Sequence, residues 1–363
     1  MRAIAAYLVF FHHFNPFPLN SANGALVAEG HIGVSVFFVL SGLLITIRYQ
    51  TYMNLSKDWV IKYARNRIAR IYPIYFLLTV LTFLVIAYDP TYDPLMRWAI
   101  DLPIHRAWIV ALNLTFLRGF FNDICFSGVA QGWTLTVEEC FYFSAPLLLL
   151  ALRRTTWALV AYVVVLLAVG LAVVHLLAPF QGRIPFGFLN TYAFVLNYTL
   201  FGRCLDFAAG IGLAIWVQRG GPKVVPQKPW RTLLGATWII GCMVWLAAIA
   251  VPEGTASTIV EPMILFIRSG VLPVGIVLFF AGLIYEASML RRLLETRVFE
   301  LLGQSSYAFY LVHLGLLSYV MQHYMQYNNL LHFVVANVLS ILLYLSIEKP
   351  VHRWITKPRL AVA

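Results

Sequence analysis

The chain alternates long apolar runs with short polar connections. Ten runs read as spanning helices, at about 2–14, 31–50, 67–88, 132–152, 156–178, 191–218, 231–251, 262–287, 301–325 and 329–348. Residues 159–178, for example, are twenty in a row without a formal charge, which suits the roughly 20 residues needed to cross ~30 Å of hydrocarbon. A further segment, 89–131, carries Arg97, Arg106 and Arg118 and reads as surface loops plus one partly inserted helix. The connection 219–231 is rich in Pro, Gly and Lys and reads as a loop. No fixed-period repeat is present. The pattern therefore predicts an all-α, polytopic membrane helix bundle of about ten spans, with a single membrane domain over 1–350 and a short basic tail over 351–363.

Composition agrees with this. Of 363 residues, 61% are apolar and 11% charged, against roughly 25% charged in a soluble domain, and mean hydropathy is +0.79. The net charge of +11 sits in clusters: Lys57 to Arg70, Arg153–Arg154, Arg219 to Arg231, Arg291 to Arg297, and the tail from Lys349. All five fall on one side, the cytoplasm, if 89–131 does not cross. That explains the basic balance without nucleic acid. The four cysteines share no metal-ligand spacing and read as buried thiols. Pro16 and Pro18 follow the first apolar run before any small-residue cleavage site, so this run reads as a retained helix. It is short, and the sequence start is expected to lack a few residues.

Ionisable groups inside hydrocarbon are functional candidates by default. Arg2 and His13 are eleven residues apart, three helical turns plus about 20°, so they share a face, with His13 ~16 Å further along. His12 is turned about 100° away. An imidazole at this depth either hydrogen-bonds a neighbouring helix or serves as a general base. In GWTLTVEECFYFSAP (132–146), Glu138 and Glu139 enter an apolar helix. Either they reach interfacial water, or Glu138 meets His13 and holds its tautomer and developing charge. In YARNRIARIYPIY (63–75), Arg67 and Arg70 share a face and suit phosphate oxygens, although topology anchoring explains the spacing more simply. Ser41 and Gly42 permit close helix contact. Arg203 and Asp206, at i and i+3, predict an internal ion pair. Ser306, Tyr310 and His313 share one face of another span. No nucleophile elbow, zincin or Walker motif occurs, and no metal site is expected.

Together these pieces resemble acyltransferase family 3, the polytopic membrane O-acyltransferases. The resemblance rests on Arg2 and His13 with ten residues between them, on GVSVFFVLSGLLIT (33–46), on Arg67-x-x-Arg70 followed by IYP, and on WTLTVEECFY (133–142). Arg203, Asp206 and Phe207, then SYAFYLVH (306–313), then Glu348-Lys-Pro350 follow in the same order. It departs from the family pattern in its short N-terminus and in Cys140, where the family has Gln. It implies the stand-alone type, without a fused hydrolase-like domain. It also implies transfer of an acyl group, usually acetyl, from cytoplasmic acyl-CoA to a hydroxyl of a sugar in a cell-surface or exported glycan or glycolipid. His13 would be the catalytic base and Glu138 its partner. Arg67, Arg70 and Arg2 would bind acyl-CoA, a co-substrate, with no bound cofactor or metal. Glu139, Ser41, Arg203, Asp206, Tyr310 and His313 would support the site. The enzyme would lie in the inner (plasma) membrane, among lipids, with its C-terminus cytoplasmic. A covalent intermediate on Ser41 or Ser306 is the runner-up mechanism. A transporter or flippase for a lipid-linked sugar, using the buried His, Glu and Arg as a proton relay, is the rival from another class.

Overall fold

The computed structural model describes residues 1–51, 53–93, 95, 98, 101–221, 228–249, 260–324 and 328–357. Among them there is no strand, and eight helical stretches are long and apolar enough to cross a bilayer. In chain order the helices are α1 (Arg2–His13), α2 (Ala22–Ala28), α3 (Gly33–Tyr49), α4 (Lys57–Tyr88), α5 (Pro103–Leu114), α6 (Trp133–Leu152), α7 (Trp157–Leu177), α8 (Tyr192–Tyr198) and α9 (Leu200–Gln218). They continue as α10 (Trp230–Ile249), α11 (Val260–Phe266), α12 (Leu272–Tyr285), α13 (Met289–Leu294), α14 (Arg297–Val312), α15 (Leu316–Tyr324), α16 (Asn329–Leu343) and α17 (Lys349–Thr356).

Four spans that hydropathy reads as continuous are interrupted. The run 191–218 breaks at Thr199, whose hydroxyl caps α9 by accepting from Phe201 N at 3.3 Å. The run 262–287 passes through a π turn at Ile267–Val271, where Pro273 has no N–H to offer the carbonyl four residues back. Pro350 stands in the same relation to the π turn Tyr344–Glu348. The run 301–325 unwinds at 313–315, ending at Gly315 with φ +73°. Such breaks leave backbone groups unpaired, and at membrane depth they need partners from protein or water.

The helix α4 starts ten residues before the expected span, because Ser56 caps it by accepting from Trp59 N at 3.3 Å. Lys57, Lys62 and Arg65, which precede the expected span, are thus helical too. At the other end Asp89 accepts from Thr91 N (3.1 Å) and Oγ1 (2.6 Å) and from Tyr319 OH (2.6 Å). These bonds, those from Thr91 and then Tyr319, hold its carboxyl below the usual carboxylate range. Residues 222–227, within the expected loop 219–231, and 358–363, most of the expected tail, lie outside the described residues, as does Arg97.

Close contacts divide the chain into two compact units, Met1–Tyr52 with Val137–Gly303, and Met53–Thr136 with Gln304–Ala363. The first has its core between α1, α3, α9, α10 and α12, around Val39, Leu43, Ala214, Met243, Ile276 and Phe280. There α3 and α9 cross at backbone contact. A Cβ on Gly42 would lie 2.3 Å from the Phe207 carbonyl oxygen, and one on Gly210 1.9 Å from that of Val39. The close approach expected of the Ser41–Gly42 pair is therefore made by Gly42.

The second unit joins α4 to the last helices through Arg70 and Glu348, which form an ion pair, and through Tyr307, whose hydroxyl donates to the Ile71 carbonyl at 2.6 Å. In this unit α5 is the helix expected within 89–131, but the stretch after it is not a surface loop. Arg118 is 0% exposed and donates to the Val129 carbonyl. Asn113 donates to Ile109 O at 2.9 Å and to Ser127 Oγ at 2.8 Å. These side chains take up backbone and hydroxyl groups that an irregular buried segment cannot pair with itself, so the segment folds inward.

Candidate functional site

In the first unit, His13 is the last residue of α1, and its side chain is exposed. Its Nδ1 lies 2.9 Å from the carbonyl oxygen of Val9, one turn back. A ring N–H donated there fixes the tautomer and puts the basic lone pair on Nε2. The tautomer-holding role expected of Glu138 thus falls to the helix's own backbone. His12 is half-buried and donates from Nδ1 to the carbonyl of Ala28 at the end of α2. It packs against its neighbour through this bond. Its ring centroid is 4.8 Å from that of His13 and 5.4 Å from that of His31.

The imidazoles lead into a wider buried polar group. His31 Nδ1 lies 3.6 Å from Glu29 Oε2. Arg203 and Asp206 form the predicted ion pair at 3.6 Å. Arg203 also donates to Ser35 Oγ at 3.4 Å and, from Nε, to the Asn197 carbonyl at 2.7 Å, a carbonyl next to the break at Thr199. Arg268, in the π turn, donates to Asn197 Oδ1 at 3.3 Å.

Glu138 is half-buried. Ser41 Oγ donates to its Oε1 at 2.7 Å, and the Tyr142 hydroxyl, one turn along α6, donates to the same oxygen. Both donors converge on Oε1. Among the described residues no hydrogen bond ends on Oε2, which leaves that oxygen for a third donor. Glu139 is also half-buried, and Arg2 opens α1, likewise half-buried.

In the second unit Tyr310 and His313 are buried, with Ser306 on the same helix. The Tyr310 hydroxyl accepts from Thr134 Oγ1 at 3.2 Å, and His313 Nδ1 lies 2.9 Å from the Tyr310 carbonyl at the start of the break. Beside that break is a cavity of about 310 Å³, lined by leucines and valines with Thr82 and Gly315, and by no ionisable group. Arg70 is 27% exposed and its partner Glu348 1%. Arg70→Ala would strand a buried carboxylate. Breaking a fully buried pair costs about 3–5 kcal/mol, and less here because Arg70 reaches solvent. Arg70→Ala is therefore expected to lower the unfolding temperature in detergent well below that of Arg67→Ala. Equal thermal stability of the two variants would show that the pair contributes nothing to the fold.

The sequence reading passed over Glu29, His31 and Arg268. Arg268 was detectable as a lone arginine inside a run read as a span, with Gly270 and Pro273 just beyond it. Glu29 fell in the connection before the expected span 31–50, and His31 was its first residue.

A family model described as "Acyltransferase domain" matches residues 1–349. O-acetyltransferase OatA of Staphylococcus aureus (strain NCTC 8325 / PS 47) is 24% identical over 371 residues, covering 97% of this chain and 56% of that protein. The Bacillus subtilis (strain 168) protein named "Putative peptidoglycan O-acetyltransferase YrhL" is 28% identical over 376 residues, 97% of this chain and 54% of that protein. Acyltransferase MdmB of Streptomyces mycarofaciens is 27% identical over 346 residues, 88% of this chain and 78% of that protein. The chain thus spans about half the length of OatA and YrhL. No solved structure matches.

Proposed function

The chain belongs to acyltransferase family 3, and from that premise we propose that it moves an acyl group, acetyl in the simplest case, from cytoplasmic acyl-CoA to a sugar hydroxyl of a cell-surface or exported glycan or glycolipid. Family membership supports an O-acyltransferase embedded in the membrane by several helices and weighs against the transporter reading. The names of OatA and YrhL, the second of which includes peptidoglycan, support a cell-envelope glycan as acceptor.

The observation that carries the mechanism is the 2.9 Å approach of His13 Nδ1 to the Val9 carbonyl. With Nδ1–H held by Val9, Nε2 takes the acceptor's hydroxyl proton as the oxygen attacks the thioester carbonyl. The tetrahedral adduct collapses, the C–S bond breaks, and Nε2 returns the proton to the CoA thiolate. Glu138, fixed through Oε1 by Ser41 and Tyr142, offers Oε2 and a negative charge to the imidazolium formed in between. Arg67 and Arg70 lie at the cytoplasmic edge in this topology and bind the CoA phosphates. The basic loops and the C-terminus face the cytoplasm of the inner (plasma) membrane. Incubating purified protein with labelled acetyl-CoA and de-O-acylated envelope glycan tests the reading. Alkali-labile label on the glycan is expected, and label that stays on CoA would overturn it.

One observation favours a second route. The 2.7 Å bond from Ser41 to Glu138 is also the arrangement of a nucleophile beside its base. Under direct transfer, Ser41→Ala removes only one of the two donors to Glu138, and a loss of about tenfold or less in kcat is expected. Complete loss, together with an acyl adduct on wild-type protein by intact mass, would establish the acyl-serine route instead.

A further inference from the structure

In the first unit, the polar group beyond His12 holds more charge than its own contacts use. Four of its buried atoms have no hydrogen-bond partner among the described residues: Glu29 Oε2, His31 Nε2, Asp206 Oδ1 and Arg268 Nε. Asp206 is 0% exposed and Arg203 4%. Asn197 joins the two guanidiniums, its carbonyl accepting from Arg203 and its Oδ1 from Arg268. Arg203 pairs with Asp206 and His31 stands 3.6 Å from Glu29, and Arg268 lies near enough for its charge to reach Glu29, His31 and Asp206. Buried polar atoms are almost always paired. Four orphans within one cluster, one of them on a π turn of the kind that recurs at functional sites, indicate groups arranged for something that binds.

We propose that Glu29, His31, Asp206 and Arg268 form the acceptor subsite, taking the hydroxyl-rich face of a neutral sugar whose neighbouring ring presents its hydroxyl to His13. This rests on the acyltransfer reading above. The charge balance selects the ligand class. The cluster holds two guanidiniums, Arg203 and Arg268, and two carboxylates, Glu29 and Asp206. An anionic group would meet both carboxylates and a cationic one both guanidiniums. A sugar hydroxyl donates to a carboxylate and accepts from a guanidinium or imidazole N–H, so a run of hydroxyls satisfies both kinds of orphan. The His12 ring bridges the cluster and the base, 4.8 Å from the His13 ring and 5.4 Å from the His31 ring.

The test titrates acceptor and acyl-CoA separately in purified full-length protein. The acceptor is de-O-acylated envelope glycan of the producing cell, split by anion exchange into neutral and anionic pools. The variants are Arg268→Gln, Arg268→Lys and Glu29→Gln. The expected result is a rise of about ten- to a hundredfold in KM for the neutral pool, with KM for acyl-CoA within about twofold of wild type. Arg268→Lys keeps the charge but not the Nε–H. It is expected to unfold at the wild-type temperature and still to show the raised acceptor KM. Full recovery in Arg268→Lys would make Arg268 a structural counter-charge and overturn the subsite, as would unchanged acceptor KM in all three variants. Failure of all three to fold, or acceptor activity confined to the anionic pool, would also overturn it. Absence of transfer by wild type to either pool would instead bring down the acyltransfer reading, and the subsite with it.

Discussion

His13→Ala is expected to lower acyl transfer by about 10³-fold, toward loss of detectable product, while His12→Ala retains most of the activity. Positioned general bases contribute roughly 10²–10⁴-fold, and the acceptor hydroxyl is a poor nucleophile until its proton has somewhere to go. Of the adjacent imidazoles, only His13 combines an exposed ring with Nδ1 tied to a carbonyl of its own helix. His12 spends its Nδ1 on the carbonyl of Ala28 and is half-buried. Its removal costs packing and a link to His31 rather than the reacting base. Assaying both variants in membranes at matched expression checks this. Loss confined to His12→Ala, or equal loss in both, would reassign the base.

Glu138→Gln is the second large effect, expected to cut kcat by about ten- to a hundredfold while leaving acyl-CoA affinity unchanged. The carboxylate does not hold the His13 tautomer, since Val9 does. Its contribution is charge. An interaction with a charged group is worth about 1.5–3 kcal/mol, and it is lost from the transition state when the anion becomes an amide. Gln keeps the size and one acceptor oxygen, so Ser41 or Tyr142 can still bind there, which separates charge from packing. Glu139→Gln is expected to show a smaller loss, because adjacent helical residues point about 100° apart and only Glu138 receives both hydroxyls. Steady-state kinetics of the two variants decide the matter. A fall in acyl-CoA affinity, or a larger loss in Glu139→Gln, would remove Glu138 from the chemistry of His13.

The sequence by itself determined the all-α, membrane-spanning character, the positions of eight of its ten expected spans, and the pairs that depend only on helical spacing; the runs 2–14 and 301–325 are not among the eight stretches long and apolar enough to cross. Runs of twenty apolar residues admit one solution in a bilayer, because every backbone group must be paired within its own segment. Arg203 and Asp206 are three residues apart on one helix, so local geometry alone brings them to 3.6 Å. The tertiary structure decided everything that depends on residues far apart in the chain. Hydropathy is blind to a missing N–H, so the π turns at Ile267–Val271 and Tyr344–Glu348 were invisible in the runs that contain them, and with them the settings of Arg268 and Glu348. Arg118 looked like a surface cation until its carbonyl partner Val129 was known. Ser41 and Glu138 lie 97 residues apart in sequence, and no spacing rule joins them. They meet because Gly42 lets α3 press against α9 at Phe207, whose ring stacks on Phe141 of α6 at 4.0 Å. That packing sets the hydroxyl of α3 against the carboxylate of α6.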